Sequence, residues 1–132
     1  MAHVFVYGTL MRGGANHRVM TRLCARYVVS ARTSKSRTLV DLGPYPALLP
    51  SDEARDALAP NVHGEVFAID DAAFPLLDEF EGCPSLYTRE RIALVSDAGE
   101  LEAWVYVLAR RIPSSAKVVE TGRYGKVDLD ED

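Results

Sequence analysis

Val4-Phe5-Val6-Tyr7-Gly8-Thr9-Leu10 is the stretch whose reading decides the fold of this 132-residue chain. The β-branched and aromatic side chains at positions 4 to 6 read as a buried strand. Gly8 then lets the backbone turn with no Cβ in the way. A strand ending on such a turn offers the peptide N–H groups of Gly8, Thr9 and Leu10 to a ligand at close range. That arrangement suits a carboxylate or a developing oxyanion. It is also a common way for a chain to begin, so the function has to be sought in the residues that follow.

Working outward, Asn16 reads as the cap of a short helix to about Cys24, with Val19, Met20 and Leu23 on one side. Strands follow at 26–35, around Tyr27-Val28-Val29, and at Thr38–Leu42. Gly43-Pro44-Tyr45-Pro46 is a rigid turn before a short strand at Ala47–Leu49. Residues 51–60 read as an exposed polar loop. His63–Ile69 alternates as a strand. Asp70 and Asp71 offer caps to a helix carrying Leu76, Leu77 and Phe80, of which Leu77 and Phe80 point toward the core; Pro75 sets its regular start near Phe74, and Gly82 stops it. Tyr87–Val95 and Leu101–Leu108 form a hairpin across Asp97-Ala98-Gly99-Glu100. Past Arg110 the pattern is mixed, and the tail over 126–132, with its acidic end, is expected to be mobile. About seven short strands and two helices, with hairpin-length connections, predict an α+β fold. It is a small mixed, mainly antiparallel β-barrel with helices packed outside it. The order is not the regular βαβ alternation of a Rossmann arrangement.

The length predicts a single domain, 1–132, able to form one core without metal or disulfide support. Apolar residues make up 48% and charged residues 26%, the balance of a soluble globular chain. No apolar run approaches a membrane span, and no secretory signal is visible, so a cytoplasmic location is the expectation. A net charge of −4 argues against nucleic acid as partner. The basic residues from Arg12 through Arg37 read as a solvated face, the alternative being attraction of an anionic substrate group. Cys24 and Cys83 form no CxxC pair and are expected as reduced, partly buried thiols. His3, His17 and His63 are scattered, so neither a metal site nor a cofactor is expected. Oligomeric state is left open.

Chemistry concentrates in Leu77-Asp78-Glu79-Phe80-Glu81-Gly82-Cys83-Pro84-Ser85-Leu86-Tyr87-Thr88-Arg89. On a helix Asp78 and Glu81 share a face, and Glu81, four residues past Leu77, lies at the edge of the buried one. An acid at a helix C-terminus meets the negative end of the dipole, and partial burial pushes its pKa the same way. Such a carboxylate is a candidate general base. The alternative is an exposed helix-end acid, or one paired with Arg89 or Arg91. Tyr87 reads equally as a cross-strand core aromatic. Cys83 as a nucleophile would want His17 or His63 beside it, and no spacing links them.

At these residues the chain resembles the gamma-glutamylcyclotransferase-like superfamily. Val-Phe-Val-Tyr-Gly-Thr-Leu-Met-Arg-Gly at the start and Leu-Asp-Glu-Phe-Glu-Gly-Cys-Pro-Ser-Leu-Tyr-Thr-Arg in the middle carry the likeness. Asn16-His17-Arg18-Val19 and the Pro46 region extend it over roughly residues 3–108, and Thr121-Gly122-Arg123-Tyr124 is similar to a late glycine-plus-aromatic element of these folds. The nearest branch is the gamma-glutamylamine cyclotransferases and their bacterial relatives. The resemblance implies a small barrel with a cavity at one side and a metal-free cleavage of small gamma-glutamyl compounds. The substrate's α-amine attacks its own γ-carbonyl, giving 5-oxoproline and a free amine. It implies Tyr7, Gly8, Thr9 and Leu10 as the loop gripping the glutamyl part, Glu81 as acid/base and Tyr87 as a pocket aromatic. A non-catalytic binding or regulatory module of the same fold, or a Cys83-dependent hydrolase, is the alternative. The leaving amine is not specified: glutathione, a γ-glutamyl amino acid, an ε-linked lysine and a polyamine conjugate all fit.

Overall fold

The apolar run at the start forms strand β1 (Ala2–Val6) in the computed structural model, which describes residues 1–125. Helix α1 (His17–Arg22), strands β2 (Arg26–Thr33), β3 (Leu39–Asp41) and β4 (Pro46–Leu48), and helix α2 (Glu53–Asp56) follow. Next come β5 (His63–Ile69), a 3-10 turn (Asp71–Ala73), α3 (Phe74–Phe80), β6 (Tyr87–Ser96), β7 (Gly99–Leu108) and β8 (Lys117–Val118). One sheet holds all eight strands in the order β1-β5-β2-β6-β7-β4-β3-β8. β1 pairs antiparallel with β5 and also parallel with β7, where Val4 faces Trp104 and Phe5 faces Val105. That second pairing closes β1, β5, β2, β6 and β7 into a barrel, with β4, β3 and β8 outside it. The fold is the small mixed α+β barrel that the strand pattern predicts.

Strand alternation divides the apolar side chains between two cores. Phe5, Ala31, Val66, Leu94 and Val105 come one from each barrel strand and fill the interior. Val4, Val6, Phe67, Ile69 and Leu108 point the other way and are covered by Met20 of α1 and by Phe74 and Leu77 of α3. β5 is buried on both faces for this reason.

Several expectations are corrected. There are eight strands among the described residues, because Lys117–Val118 pairs with β3, and a third short helix. That helix, α2, lies in the segment expected as an exposed loop. Asp52 caps it through the Ala54 and Arg55 amides, and Asp56 is buried because it accepts from the Thr38 amide and hydroxyl and the Asp52 amide. Arg37, read as part of a solvated face, is buried with its guanidinium on the Leu49 carbonyl at 2.8 Å. Asn16 stands before α1 but makes no cap bond; its amide goes to the Thr9 hydroxyl at 3.0 Å and ties the helix to the first loop. Phe80 is exposed, as is Leu76, since Phe74 and Leu77 alone supply the inner face of α3. Cys24 is exposed, not partly buried. The expectation for 126–132 lies outside the described residues.

Candidate active site

The first loop leaves β1 at the mouth of a cavity of about 260 Å3, lined on one side by Tyr7, Gly8, Thr9 and Leu10. Gly8 is required for closeness more than for turning. A Cβ there would stand 2.5 Å from Cγ and 2.8 Å from Cδ of Pro46, the first residue of β4. The turn is held by the Met11 amide on the Gly8 carbonyl (3.1 Å) and the Asn16 amide on the Thr9 carbonyl (2.9 Å). The amides of Gly8, Thr9 and Leu10 have no acceptor among the described residues. Peptide N–H groups without an acceptor beside a cavity are chemically suited to an anionic oxygen.

Tyr7 is different. Its hydroxyl donates to the Tyr106 carbonyl at 2.7 Å and accepts from the Leu48 amide at 3.0 Å. Both capacities of the hydroxyl are committed to backbone on β7 and β4, and burial holds its pKa well above the ordinary value. Tyr87, at the start of β6, likewise donates to the Pro46 carbonyl at 2.7 Å and lines the same cavity.

Glu81 lines the same cavity. The expected Asp70 cap serves the 3-10 turn before α3, where its carboxylate accepts from the Ala72 amide; α3 itself starts without a side-chain cap and tolerates Pro75 in its first turn. It ends where Gly82 takes φ of +72°, a left-handed value natural to glycine. Leu77 anchors the inner face, and Glu81, one turn on, faces into the cavity edge. Its carboxyl has no hydrogen bond or ion pair among the described residues. Burial, with a smaller contribution from the Asp78 carboxylate, pushes its pKa up to about 7.

The arginines that might have neutralised it are taken. Arg89 grips Asp78, Nε to Oδ1 at 2.7 Å and Nη2 to Oδ2 at 3.0 Å, while its guanidinium lies over the Phe74 ring. Arg91 pairs with Glu102 at 3.0 Å. Tyr106 donates its hydroxyl to Asp78 at 2.7 Å. Asp78 is thus a fixed negative charge one turn before Glu81. Cys83 lies outside this cavity, in a recess lined by Asp78, Thr88, Arg89 and Trp104 with no histidine. Burial first, then Asp78 and Glu81, hold its thiol above the ordinary pKa. Among the described residues no set of acids, histidines and cysteines is placed to hold a metal ion, and no helix is long and apolar enough to cross a membrane.

The structure therefore brings Tyr7, Gly8, Thr9, Leu10, Glu81 and Tyr87 to one cavity. Sequence reasoning missed Tyr45, Tyr106 and Phe80 in its lining. Tyr106 alternates inside β7 as a core residue would, and nothing local marks its hydroxyl for Asp78.

A family model described as Gamma-glutamyl cyclotransferase, AIG2-like matches residues 4–126. The Gamma-glutamylaminecyclotransferase of Bos taurus is 37% identical over 121 residues, which cover 86% of this chain and 69% of that protein. The Homo sapiens protein of the same name is 40% identical over 105 residues, covering 74% and 65%. The chain spans about two thirds of the length of these two relatives. The crystal structure of an aig2-like protein from Mus musculus superimposes with a TM-score of 0.76 at 34% identity, over 86% of this chain and 80% of that one. The match takes in the first loop, α3 and the strands between them, and the chain belongs to the Gamma-glutamyl cyclotransferase, AIG2-like family.

Proposed function

We propose that this protein is a γ-glutamyl cyclotransferase that releases 5-oxoproline and a free amine from a small γ-glutamyl amine, with Glu81 as the proton carrier. One observation carries the reading. A carboxylate without a cation partner, its pKa raised to about 7, lines the same cavity as three amides that lack acceptors.

The chemistry follows from those groups. The substrate's α-ammonium must lose a proton before its nitrogen can attack. Transfer from an amine of pKa about 8 to a Glu of ordinary pKa is uphill by roughly 5 kcal/mol. At a Glu81 pKa of about 7 the cost falls to roughly 1.4 kcal/mol. The freed nitrogen closes on the γ-carbonyl carbon and forms the ring C–N bond. The developing oxyanion or the α-carboxylate rests on the Gly8, Thr9 and Leu10 amides. The original amide C–N bond then breaks as the proton held by Glu81 goes to the departing nitrogen, and the second proton of the ring nitrogen follows through Glu81, so that the amine leaves as an ammonium ion and the ring keeps one N–H. Atoms balance without water. Both reacting centres belong to one molecule, so positioning and proton transfer supply most of the rate.

The lining favours amines over peptides as leaving groups. Among the described residues Glu81 is its only carboxylate, and no lysine, arginine or histidine takes part. A leaving group with its own carboxylate, as in glutathione, meets no cation there.

The test is incubation with a panel of γ-glutamyl alkylamines, γ-glutamyl amino acids and glutathione. The expected result is 5-oxoproline from the alkylamines, at least a hundredfold less of it in Glu81→Gln, and undiminished formation in Cys83→Ser. Free glutamate as product would mean hydrolysis instead. Saturable binding with neither product would mean a binding module.

A further inference from the structure

A second cavity, of about 390 Å3, opens beside β2, β5 and the end of β6 and shares no lining residue with the one that holds Glu81. Arg32, His63 and Arg123 all line it. The backbone explains why they meet. Arg32 and His63 stand directly opposite each other in the antiparallel β2–β5 ladder. Their side chains therefore leave the same face, with Cβ atoms about 5 Å apart. Arg123 arrives from the chain after β8. The His63 amide donates to the Gly122 carbonyl at 2.8 Å, and Gly122, at φ of +74°, packs against the Asn61 carbonyl where any Cβ would overlap. That tight docking carries Arg123 to His63.

The charges do not cancel. Neither the Arg32 nor the Arg123 guanidinium has a carboxylate partner among the described residues. Two carboxylates share the cavity, Glu65 and Asp97. Glu65 is engaged, its oxygens accepting from the Arg12 amide at 2.8 Å and the Arg12 Nε at 3.2 Å. Asp97 sits on the exposed β6–β7 turn. Among the described residues two guanidinium groups thus share the cavity with one acid that has no ion pair, in a chain whose net charge is −4. After burial, Arg123 and then Arg32 hold the His63 pKa below its ordinary value.

We propose that this cavity is a binding site for a small phosphate-bearing anion, held between the guanidinium groups of Arg32 and Arg123 with His63 as a third donor. A guanidinium offers paired N–H groups at the spacing of two phosphate oxygens, and two of them match a dianion. The cavity is larger than a phosphate alone needs, which leaves room for the group that the phosphate is attached to. This site stands apart from the catalytic reading and does not depend on it.

The experiment is a titration of the full chain with inorganic phosphate at constant ionic strength, followed through the His63 imidazole resonances. A saturable shift is expected, together with a rise of the His63 apparent pKa by about half a unit or more, because a bound dianion stabilises the imidazolium. R32A/R123A, altered at two exposed positions, is expected to bind at least tenfold more weakly, and R32K/R123K to retain part of the affinity. The proposal is overturned if the His63 signals respond to phosphate no more than to sodium chloride. It is equally overturned if R32A/R123A responds as strongly as the original chain.

Discussion

A half-buried carboxylate with no cation beside it costs the folded state free energy, and Glu81 is such a group. Its ordinary pKa is 4.5 and its folded value about 7. Below pH 4.5 the acid is neutral in both states and adds no penalty. Between 4.5 and 7 the unfolded chain releases the proton while the folded chain keeps it, so stability falls as pH rises through that window. Above pH 7 the loss levels off at up to about 3 kcal/mol. Glutamine mimics the neutral acid, so Glu81→Gln should match the original chain in urea unfolding at pH 4 and exceed it by up to about 3 kcal/mol at pH 8. A gap that does not change with pH would remove the physical basis for Glu81 as proton carrier. At this scale the sequence was partly legible. The four-residue step from Leu77 set Glu81 at the edge of the buried face. The choice of Arg89 for Asp78 was not legible, since both acids lie within reach of a strand whose register only the barrel sets.

Among the elements, the first loop and α3 decide what the cavity can do. The loop is pressed so close to β4 that Pro46 stands where a side chain at position 8 would begin. Proline is rigid, so it cannot give way by turning a torsion. Gly8→Ala should lower stability by about 1–3 kcal/mol through overpacking. It should also displace the three amides and cut 5-oxoproline formation at least tenfold. An alanine variant with the original stability and turnover would show that the approach is looser than the distances state. The glycine was visible in the sequence, but for its turn. Its actual cause, a proline 38 positions on, has no local signature. α2 was missed for a related reason. Its segment has no apolar periodicity, and the burial of Asp56 depends on donors from Thr38, far along the chain.

For the molecule as a whole, the parallel β1–β7 pairing that closes the barrel joins residues about a hundred positions apart. Tyr7 braces that closure. Its hydroxyl bridges the Tyr106 carbonyl on β7 and the Leu48 amide on β4. Tyr7→Phe removes a hydrogen bond from each of these two buried backbone groups, and should cost about 1–2 kcal/mol. Tyr27→Phe is the control, because its hydroxyl meets only Ser30 at the surface, and should change stability by under about 0.5 kcal/mol. Equal effects from the two variants in chemical unfolding would contradict the bracing role. By itself the sequence determined most of the strands, the hairpin and the helix that ends at Gly82, because alternation and turn glycines act over a few positions. Tertiary structure alone decided that Glu81 would line one cavity with Gly8, Thr9 and Leu10, that Arg37 would be buried, and that Arg32, His63 and Arg123 would line another. Those outcomes depend on register and barrel closure, which are settled by packing between distant segments.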